Sequence, residues 1–368
     1  MQPGDQFFVY LFIVGLFLIH CLLFWEILRI FFPGSQVWVM PLGVLILGLT
    51  GPYTRMIAHP FIHEAAIAGG QLLFMVGFYF TLLALKQKPV HRVRLVLAGT
   101  FWAFSIATRF TELPQVGFMV VLTWLYIFYE YRTGTDREQL GKSTCALIAP
   151  LLICGGLMAW YNWARFDSIF EFGLFYQLAA FNLQANYSIL FSRVYFFQNI
   201  YNYFFNAFAV ARTPPFFFPR SGTEMTVLSS IHLPNLYAVE GKFPGILAST
   251  PFLILAIIPM FILIKELYEK MLKKTNGHFN LSDWAILGLF GSFIASCLMV
   301  LLFFYVGLRY ETEFISSLTL LALIGFCQGY TVVKTNSARK LFSVIGVSLA
   351  LFSIFANLAL AYTGVTIL

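Results

Sequence analysis

Charged residues are scarce in this chain of 368 residues: Asp, Glu, Lys and Arg together make up 11% of it. Soluble globular domains average about 25% charged residues, so this chain has too little charge to cover a water-exposed surface. The low charge therefore excludes soluble domains, and an aromatic content of 18% excludes intrinsic disorder. The apolar runs are long and unbroken, whereas a β-barrel would show alternating segments of about ten residues.

Several motifs that carry common chemistries are also missing. There is no GxSxG, no Walker sequence and no glycine fingerprint of a dinucleotide-binding fold. These absences disfavour hydrolase triads, ATP-driven transport and nucleotide-cofactor redox chemistry. The five cysteines lie in apolar runs without a CxxC, as is typical of small buried hydrophobic residues. The net charge of +7 is not concentrated in a basic domain, so we expect no nucleic-acid partner.

No pattern in the sequence indicates a cofactor or a metal ion. His59 and His63 stand at helical i, i+4 spacing, but a metal site needs a third ligand and HPFIHE is not a zinc-protease motif. Pro60 also disfavours a regular helix that begins at His59. We therefore expect interfacial histidines that hydrogen-bond to their neighbours.

The sequence does contain many apolar runs close to the 20 or so residues that cross a bilayer. They predict an all-α, polytopic membrane protein with ten transmembrane helices, at about residues 7–30, 36–52, 65–86, 95–110, 115–131, 145–163, 245–265, 283–307, 313–333 and 341–363. The start of the chain has no basic region, so the first run is expected to be a retained helix and not a cleaved signal peptide. The predicted organisation is six helices in residues 1–163, an external segment in 164–244 and four helices in 245–368.

The basic residues predict the orientation, because Lys and Arg concentrate in cytoplasmic loops. If both termini lie outside, 15 of the 23 Lys and Arg residues fall in short loops or helix ends on the inside. The predicted location is a bacterial inner membrane or plasma membrane, with membrane lipid as an obligatory partner.

Residues 164–244 form the one extended region without a spanning run, and this region is rich in Phe and Tyr. The spacing of Phe172, Phe175 and Tyr176, and of Phe197, Ile200, Tyr201 and Phe204, predicts short amphipathic helices. Aromatic amphipathic helices favour the headgroup zone of a bilayer. We expect a lid on the outer leaflet above a lipid-like ligand; a structural interfacial loop without a ligand is the alternative.

The remaining charges gather at the predicted outer face, where polar groups at membrane depth need a partner or a function. The groups are Arg55, His63 and Glu64; Arg109 and Glu112; and Arg309, Glu311 and Glu313. An isolated arginine in such a place either pairs with a carboxylate or binds an anion such as a phosphate through its planar fork. Arg109, Arg309 and Arg55 are the candidates for binding a phosphate headgroup, and structural pairing with a glutamate is the alternative.

Four stretches resemble bacterial integral-membrane glycosyltransferases of the GT-C type, the relatives of protein O-mannosyltransferases and lipopolysaccharide sugar transferases. The stretches are Glu64–Gln71, Leu97–Arg109, Trp160–Leu178 (with Glu171, Tyr176 and Gln177) and Arg309–Phe314. The resemblance covers about residues 5–330, and Glu313 stands where that group usually has Asp.

The resemblance implies transfer of a hexose or pentose from a polyprenyl-phosphate carrier to an envelope glycan or lipid acceptor at the outer face. An acidic residue would act as the base and cations would stabilise the departing phosphate. His63, Glu171, Tyr176, Gln177, Glu311 and Glu313 would line the cavity.

The catalytic Asp of such enzymes lies in a first external loop after an earlier helix. We expect this chain to lack that region, as a truncated reading frame or a degenerate relative. Asp5 and Glu64 are then the remaining candidates for the acidic residue that acts as the base. The alternatives are a non-catalytic lipid-carrier binder, a flippase-like transporter, or a structural subunit of an envelope complex.

Overall fold

The computed structural model describes residues 4–58, 60–131, 137–176, 184–220, 233–272 and 279–366. In these ranges the chain is predominantly helical. Its α-helices are α1 (Asp5–Phe31), α2 (Val39–Leu49), α3 (Tyr53–Ala58), α4 (Ile62–Leu85), α5 (Arg92–Thr108), α6 (Leu113–Tyr131), α7 (Arg137–Phe166), α8 (Tyr187–Leu190), α9 (Phe196–Ile200), α10 (Ile246–Ser249), α11 (Ile257–Leu272), α12 (Leu281–Leu301), α13 (Thr312–Val332) and α14 (Asn336–Thr366).

Shorter elements join the helices. The 3₁₀ turns are Phe110–Glu112, Leu174–Tyr176, Arg193–Tyr195, Pro251–Ala256 and Leu308–Glu311, and a π-helical turn covers Tyr201–Phe205. Four short strands are β1 (Ala209–Val210), β2 (Phe217–Phe218), β3 (Ala238–Val239) and β4 (Tyr305–Val306). β1 pairs with β2 antiparallel, and β3 pairs with β4 in parallel with Ala238 opposite Tyr305.

Seven helices in the described residues are long and apolar enough to cross a membrane. They are Gln6–Phe31, His63–Leu85, Phe110–Tyr131, Arg137–Phe166, Leu281–Leu301, Leu308–Val332 and Asn336–Thr363. The protein is therefore an integral, multi-pass helical membrane protein, as predicted. The predicted count of ten spans was too high, because three of the predicted runs fold into helices that are shorter or broken.

The first of these runs, predicted at 36–52, forms α2, a helix of 11 residues. At about 1.5 Å per residue such a helix is only about 16 Å long. It ends where Gly51 adopts a left-handed φ of +76° and Pro52 follows. Glycine takes up this backbone conformation without the strain that a β-carbon would cause. The chain then resumes as the six-residue helix α3.

The predicted runs 95–110 and 245–265 fall short of a full span for different reasons. α5 has 17 residues and begins at Arg92, with Arg94 in its first turn, so its apolar part is shorter than the helix itself. The run predicted at 245–265 is interrupted at Thr250 and Pro251, and is divided into α10, a 3₁₀ turn and α11. Proline has no backbone N–H to continue an α-helix, which accounts for the break.

The helix ends meet in two groups. At one end, which we call the lysine end, Lys86 after α4 pairs with Glu26 of α1 at 3.2 Å, and Lys88 pairs with Glu130 of α6. Arg92 of α5 donates to Gln139 of α7 at the same end. The basic residues predicted to face the inside in these loops are thus gathered at one end of the bundle. The opposite end, called the Arg109 end, carries the outer-face groups.

The buried core runs through the bundle, in which α4 packs against α1, α5 and α13, and α12 packs against α6 and α13. Phe78 and Trp284 are both buried, with ring centroids 5.1 Å apart. The indole N–H of Trp102 donates to the carbonyl of Phe74 at 3.1 Å, so this large side chain is buried with its polar atom paired. Of the seven spans, Leu308–Val332, which contains α13, is the most enclosed: 78% of the residues in its apolar stretch are buried.

Residues 164–244, called here the aromatic segment, were predicted to form a lid across the end of the bundle. Their described part also packs into the Arg109 end. Tyr195 and Tyr203 are fully buried there. The Tyr237 hydroxyl donates to Asn199 at 2.9 Å and accepts from Asn202 at 2.8 Å. Burial raises the pKa of Tyr237, so the phenol keeps the proton that this hydrogen bond needs. The Asn199 side-chain amide also donates to the carbonyls of Leu301 and Phe303 at 3.0 and 2.8 Å, and these contacts hold the segment to the end of α12.

Candidate functional site at the Arg109 end

Arg109 and Glu313 form the centre of the Arg109 end. α5 ends at Thr108, and Arg109 adopts extended backbone with φ −149°, which directs the chain into the 3₁₀ turn before α6. Its guanidinium lies 2.7 Å from Oε1 of Glu313, in the first turn of α13. The Nε–H of Arg109 donates to Thr111 Oγ1 at 3.2 Å. The predicted phosphate-binding arginine is thus joined to a carboxylate on another helix.

Glu112 is a second buried carboxylate, 1% exposed, beside this pair. The side-chain amide of Gln71 on α4 donates to both of its oxygens at 3.2 Å, and also to the carbonyl oxygen of Glu313 at 2.9 Å. The Ser105 hydroxyl donates to the Gly70 carbonyl at 2.9 Å and lies 3.3 Å from Glu112 Oε2, and Gln115 donates to that oxygen. Since an isolated buried charge is very costly, this shell of donors is what allows an acid to stay at this depth.

The neighbouring acid, Glu311, lies 3% exposed close to Arg55 of α3. Arg55 donates from Nη2 to the carbonyl of Lys242 at 2.9 Å. Within the described residues, Nη1 of Arg55 and Oε1 of Glu311 lack a hydrogen-bond partner. Burial lowers the pKa of Arg55 below its ordinary value, and the charge of Glu311 opposes that shift. The two groups therefore compensate each other mainly by charge.

Arg309 occupies the third position, at the start of the span that contains α13. It pairs with Glu240 at 2.9 Å and lies over the rings of Tyr310 and Tyr305, at 5.2 and 5.7 Å from their centroids. Cation–π contacts of this kind add to the ion pair where water is excluded. All three arginines predicted to bind phosphate are therefore beside a glutamate in this structure.

The remaining predicted residues differ in position. Glu64 accepts the backbone N–H of Phe61 at 3.0 Å and so caps the N-terminus of α4. His63 is exposed, and Glu171 accepts the backbone N–H of Phe175 at 3.3 Å in the aromatic segment. His59, Gln177 and the side chain of Asp5 lie outside the described residues.

Two cavities flank the turn that follows α5. The smaller, about 60 Å³, is lined by Arg109, Thr111, Phe191, Met299, Val300, Phe303, Tyr310 and Glu313. The larger, about 410 Å³, lies between the ends of α5 and α7 and is lined by Ile106, Ala107, Thr108, Phe110, Met158, Tyr161, Asn162, Arg165, Phe166, Phe172, Gly173 and Tyr176. Arg109 and Phe110, which are successive residues, thus line different cavities.

The larger cavity contains an arginine that the sequence analysis did not single out. Arg165 donates to the Tyr161 hydroxyl at 2.8 Å and lies 5.0 Å from the Phe166 ring centroid. Among the described residues, it forms no ion pair with a carboxylate. Phe166 stacks on Tyr176 at 5.0 Å, and Phe110 stacks on Phe172 at 4.4 Å. The reasoning that selects Arg109, an isolated arginine after an aromatic run, would also have found Arg165.

The shell around Glu112 is not apparent from the sequence. Gln71, Ser105 and Gln115 lie on three different helices, and Ser296 of α12 extends the shell with a 2.6 Å hydrogen bond to Gln115. A polar residue in an apolar helix is the available signal, but several other Ser and Thr side chains only bond to their own helix backbone, as Thr81 does at 2.8 Å. Sequence alone does not separate the two cases.

In the described ranges, no three His, Cys, Asp or Glu side chains are grouped so that they could hold a metal ion. Comparison with known proteins identifies no family: no family model, no curated protein and no solved structure matches this chain. The fold and the site thus define the protein as a multi-pass helical membrane protein with a buried Arg–Glu network at one end.

Proposed function

We propose that this protein transfers a sugar from a polyprenyl-phosphate carrier to an envelope acceptor at the outer face of the membrane. One observation supports the proposal most directly. Three of the stretches that resemble glycosyltransferases are far apart in sequence but meet at the Arg109 end. Gln71 ends the first stretch, Ser105 and Arg109 belong to the second, and Glu313 belongs to the last. They share one hydrogen-bonded network, although up to 242 residues separate them in sequence.

The remaining stretch, Trp160–Leu178, supports the proposal through the larger cavity. It supplies Arg165, Phe166, Phe172 and Tyr176 to the lining. A polyprenyl phosphate has an anionic headgroup on a long apolar chain, and this cavity combines a guanidinium with stacked aromatic rings. We assign the first contact with the phosphate to Arg165, since its planar fork suits phosphate oxygens and is not committed to a described carboxylate.

The proposed reaction forms a bond between the acceptor oxygen and the anomeric carbon. The bond between that carbon and the carrier's phosphate oxygen breaks, and the phosphate leaves on the carrier with its negative charge. The acceptor proton passes to a base. The protein's part is to hold the headgroup at a fixed cation, because charge that develops on the leaving group is best stabilised by donors already in place.

Transfer by purified protein in lipid nanodiscs tests this proposal. The donors are radiolabelled undecaprenyl-phosphate hexoses and pentoses, and the acceptor is a cell-envelope lipid extract. Arg165→Ala is expected to reduce transfer at least tenfold, because a phosphate contact that strengthens in the transition state is lost. Arg193→Ala is the matched control, since Arg193 is an exposed arginine of the same region that lines neither cavity. Equal transfer by wild type and Arg165→Ala would contradict the assignment.

A second function, binding of a lipid carrier without transfer, is favoured by one observation. Arg109, Arg309 and Arg55 each lie beside a glutamate, and Glu64 caps a helix. A protein of this kind would bind polyprenyl phosphate and turn over none of it. Measured binding of undecaprenyl phosphate, without sugar release from any donor in the panel, would establish this function in place of transfer.

A further inference from the structure

His20 is a polar residue in the middle of an apolar span. It lies in Gln6–Phe31, about fourteen residues from the start, and is 1% exposed. Neither Nδ1 nor Nε2 has a hydrogen-bond partner within the described part of the chain. Buried polar side chains are nearly always hydrogen-bonded, and ionisable residues at this depth of a membrane usually belong to a functional site.

The imidazole faces a cavity of about 320 Å³ between α1 and the broken pair α2 and α3. The lining consists of Ile13, Val14, Leu16, Phe17, His20, Val44, Leu45, Leu47, Gly48, Leu49, Tyr53 and Ile57. Of these residues only His20 and Tyr53 carry a polar side chain. The Tyr53 hydroxyl is already bonded to Ser316 at 2.8 Å. Of the two polar side chains in the lining, His20 is therefore the one without a hydrogen-bond partner among the described residues.

The cavity can be reached from the side of the bundle. Val14 is 51% exposed, Leu45 46% and Ile57 38%, although all three are apolar and line the cavity. Exposed apolar side chains on a spanning helix face lipid. The break at Gly51 and Pro52 lies between Leu49 and Tyr53, which both line the cavity. The three exposed residues place the mouth of the cavity on a lipid-facing side of the bundle.

We propose that this cavity binds a neutral, membrane-soluble long-chain alcohol, with its hydroxyl on His20. No lining residue is charged, which disfavours a phosphate or an ammonium group at this depth. A neutral imidazole has one donor and one acceptor nitrogen, and a hydroxyl group both donates and accepts, so it can satisfy either one. This site is separate from the cavity at Arg165 and does not depend on the proposed sugar transfer.

Photolabelling of the full protein in nanodiscs tests the proposal. The probe is a long-chain primary alcohol with a diazirine in its chain, and the matched probe is the corresponding hydrocarbon without the hydroxyl. The alcohol is expected to label peptides from α1 and α2, and an excess of unlabelled alcohol is expected to compete. His20→Leu is expected to reduce labelling by the alcohol about threefold to tenfold, the loss that one hydrogen bond entails, and to leave labelling by the hydrocarbon unchanged.

Two further variants separate the cavity from general contact with lipid. Val14→Trp fills the cavity from its lipid side and is expected to abolish labelling of α1 and α2 by both probes. Leu22→Trp, on the same helix and 49% exposed but outside the lining, is expected to leave labelling as in the wild type. Equal labelling of the wild type and His20→Leu by the alcohol would overturn the proposal, and so would unchanged labelling of Val14→Trp.

Stability provides an independent readout that does not rely on labelling. His20→Leu removes an unpaired polar group from an apolar site, so this variant is expected to fold and to melt no lower than the wild type. The added alcohol is expected to raise the melting temperature of the wild type and not that of His20→Leu. An equal rise in both proteins would show that the alcohol acts through the bilayer and would also overturn the proposal.

Discussion

Arg109 and Glu313 join α5 to α13 through a contact of 2.7 Å in which the carboxylate side chain is 3% exposed. The Glu313 carboxylate is therefore poorly hydrated and depends on the guanidinium of Arg109, whose side chain is 20% exposed. Removing one partner of a buried pair leaves an uncompensated charge, whereas replacing both by apolar groups can be nearly neutral. The pair therefore has a structural role at this end of the bundle, whatever its role in the proposed transfer.

Arg109→Ala is accordingly expected to destabilise the protein by about 3 to 5 kcal/mol, because Glu313 is then buried without its cation. The double variant Arg109→Met, Glu313→Leu is expected to recover most of that loss. Thermal unfolding of the purified variants in detergent measures both. If the double variant is as unstable as Arg109→Ala alone, the pair does not act as a unit. A loss of transfer in Arg109→Ala is interpretable only after this measurement.

The shell around Glu112 leads to a second prediction. Gln71→Leu removes an amide that donates to Glu112 and to the Glu313 carbonyl, and is expected to cost about 1 to 3 kcal/mol. Thr108→Ala is the control: its hydroxyl bonds only to the Phe104 carbonyl of its own helix, and the residue is exposed. A stability change as large in Thr108→Ala as in Gln71→Leu would argue against a special role for the shell.

The broken segment before α11 is held against α13 at Gly325. A β-carbon at this glycine would lie 2.0 Å from the carbonyl oxygen of Leu255. Gly325→Ala is therefore expected to lower the stability by about 1 to 3 kcal/mol, through a backbone shift. Gly117 lies in α6, and a β-carbon added there would meet no neighbouring atom within 4 Å, so Gly117→Ala is expected to be neutral or slightly stabilising. Similar melting temperatures for both alanine variants would contradict the close contact.

The predicted orientation can be tested with single cysteines in a background in which the native cysteines are replaced by serine. Lys88→Cys at the lysine end is expected to resist a membrane-impermeant maleimide in intact cells. Phe170→Cys in the aromatic segment, 81% exposed, is expected to react. Both should react after the membrane is opened. The reverse pattern in intact cells would invert the orientation and would place the Arg109 end inside.

The class of the protein could be predicted from its low charge and long apolar runs, but the number of spans could not. A run of apolar residues such as 36–52 looks continuous to a hydropathy average. The backbone is nevertheless broken by single residues, Gly51 with its left-handed φ in one run and Pro251 in another. The signal for these breaks is local and small, whereas the hydropathy signal is summed over about 20 residues.

The candidate site was partly predictable for a similar reason. Arg109, Glu311 and Glu313 are visible in sequence because charges at apolar helix ends are rare. Their pairing is not visible, because it depends on which helices are neighbours. His20 is one of several polar residues in the apolar span Gln6–Phe31. It differs from the others by its missing hydrogen-bond partners in the described structure and by the adjoining cavity, neither of which the sequence shows.

One side of the larger cavity is formed by α7, a long helix that is mostly exposed on the outside of the bundle. This helix has 30 residues, or about 45 Å at 1.5 Å per residue, and only 11% of the residues in its apolar stretch are buried. Its apolar part, residues 145–163, is about as long as the hydrocarbon layer is thick, and the tilt of such a helix changes with the thickness of the bilayer. Arg165 lies at the Arg109 end of α7, while Thr108 and Phe110 lie at the end of α5, which packs against α4. A thicker or thinner membrane would thus alter the width of the cleft that Arg165 borders.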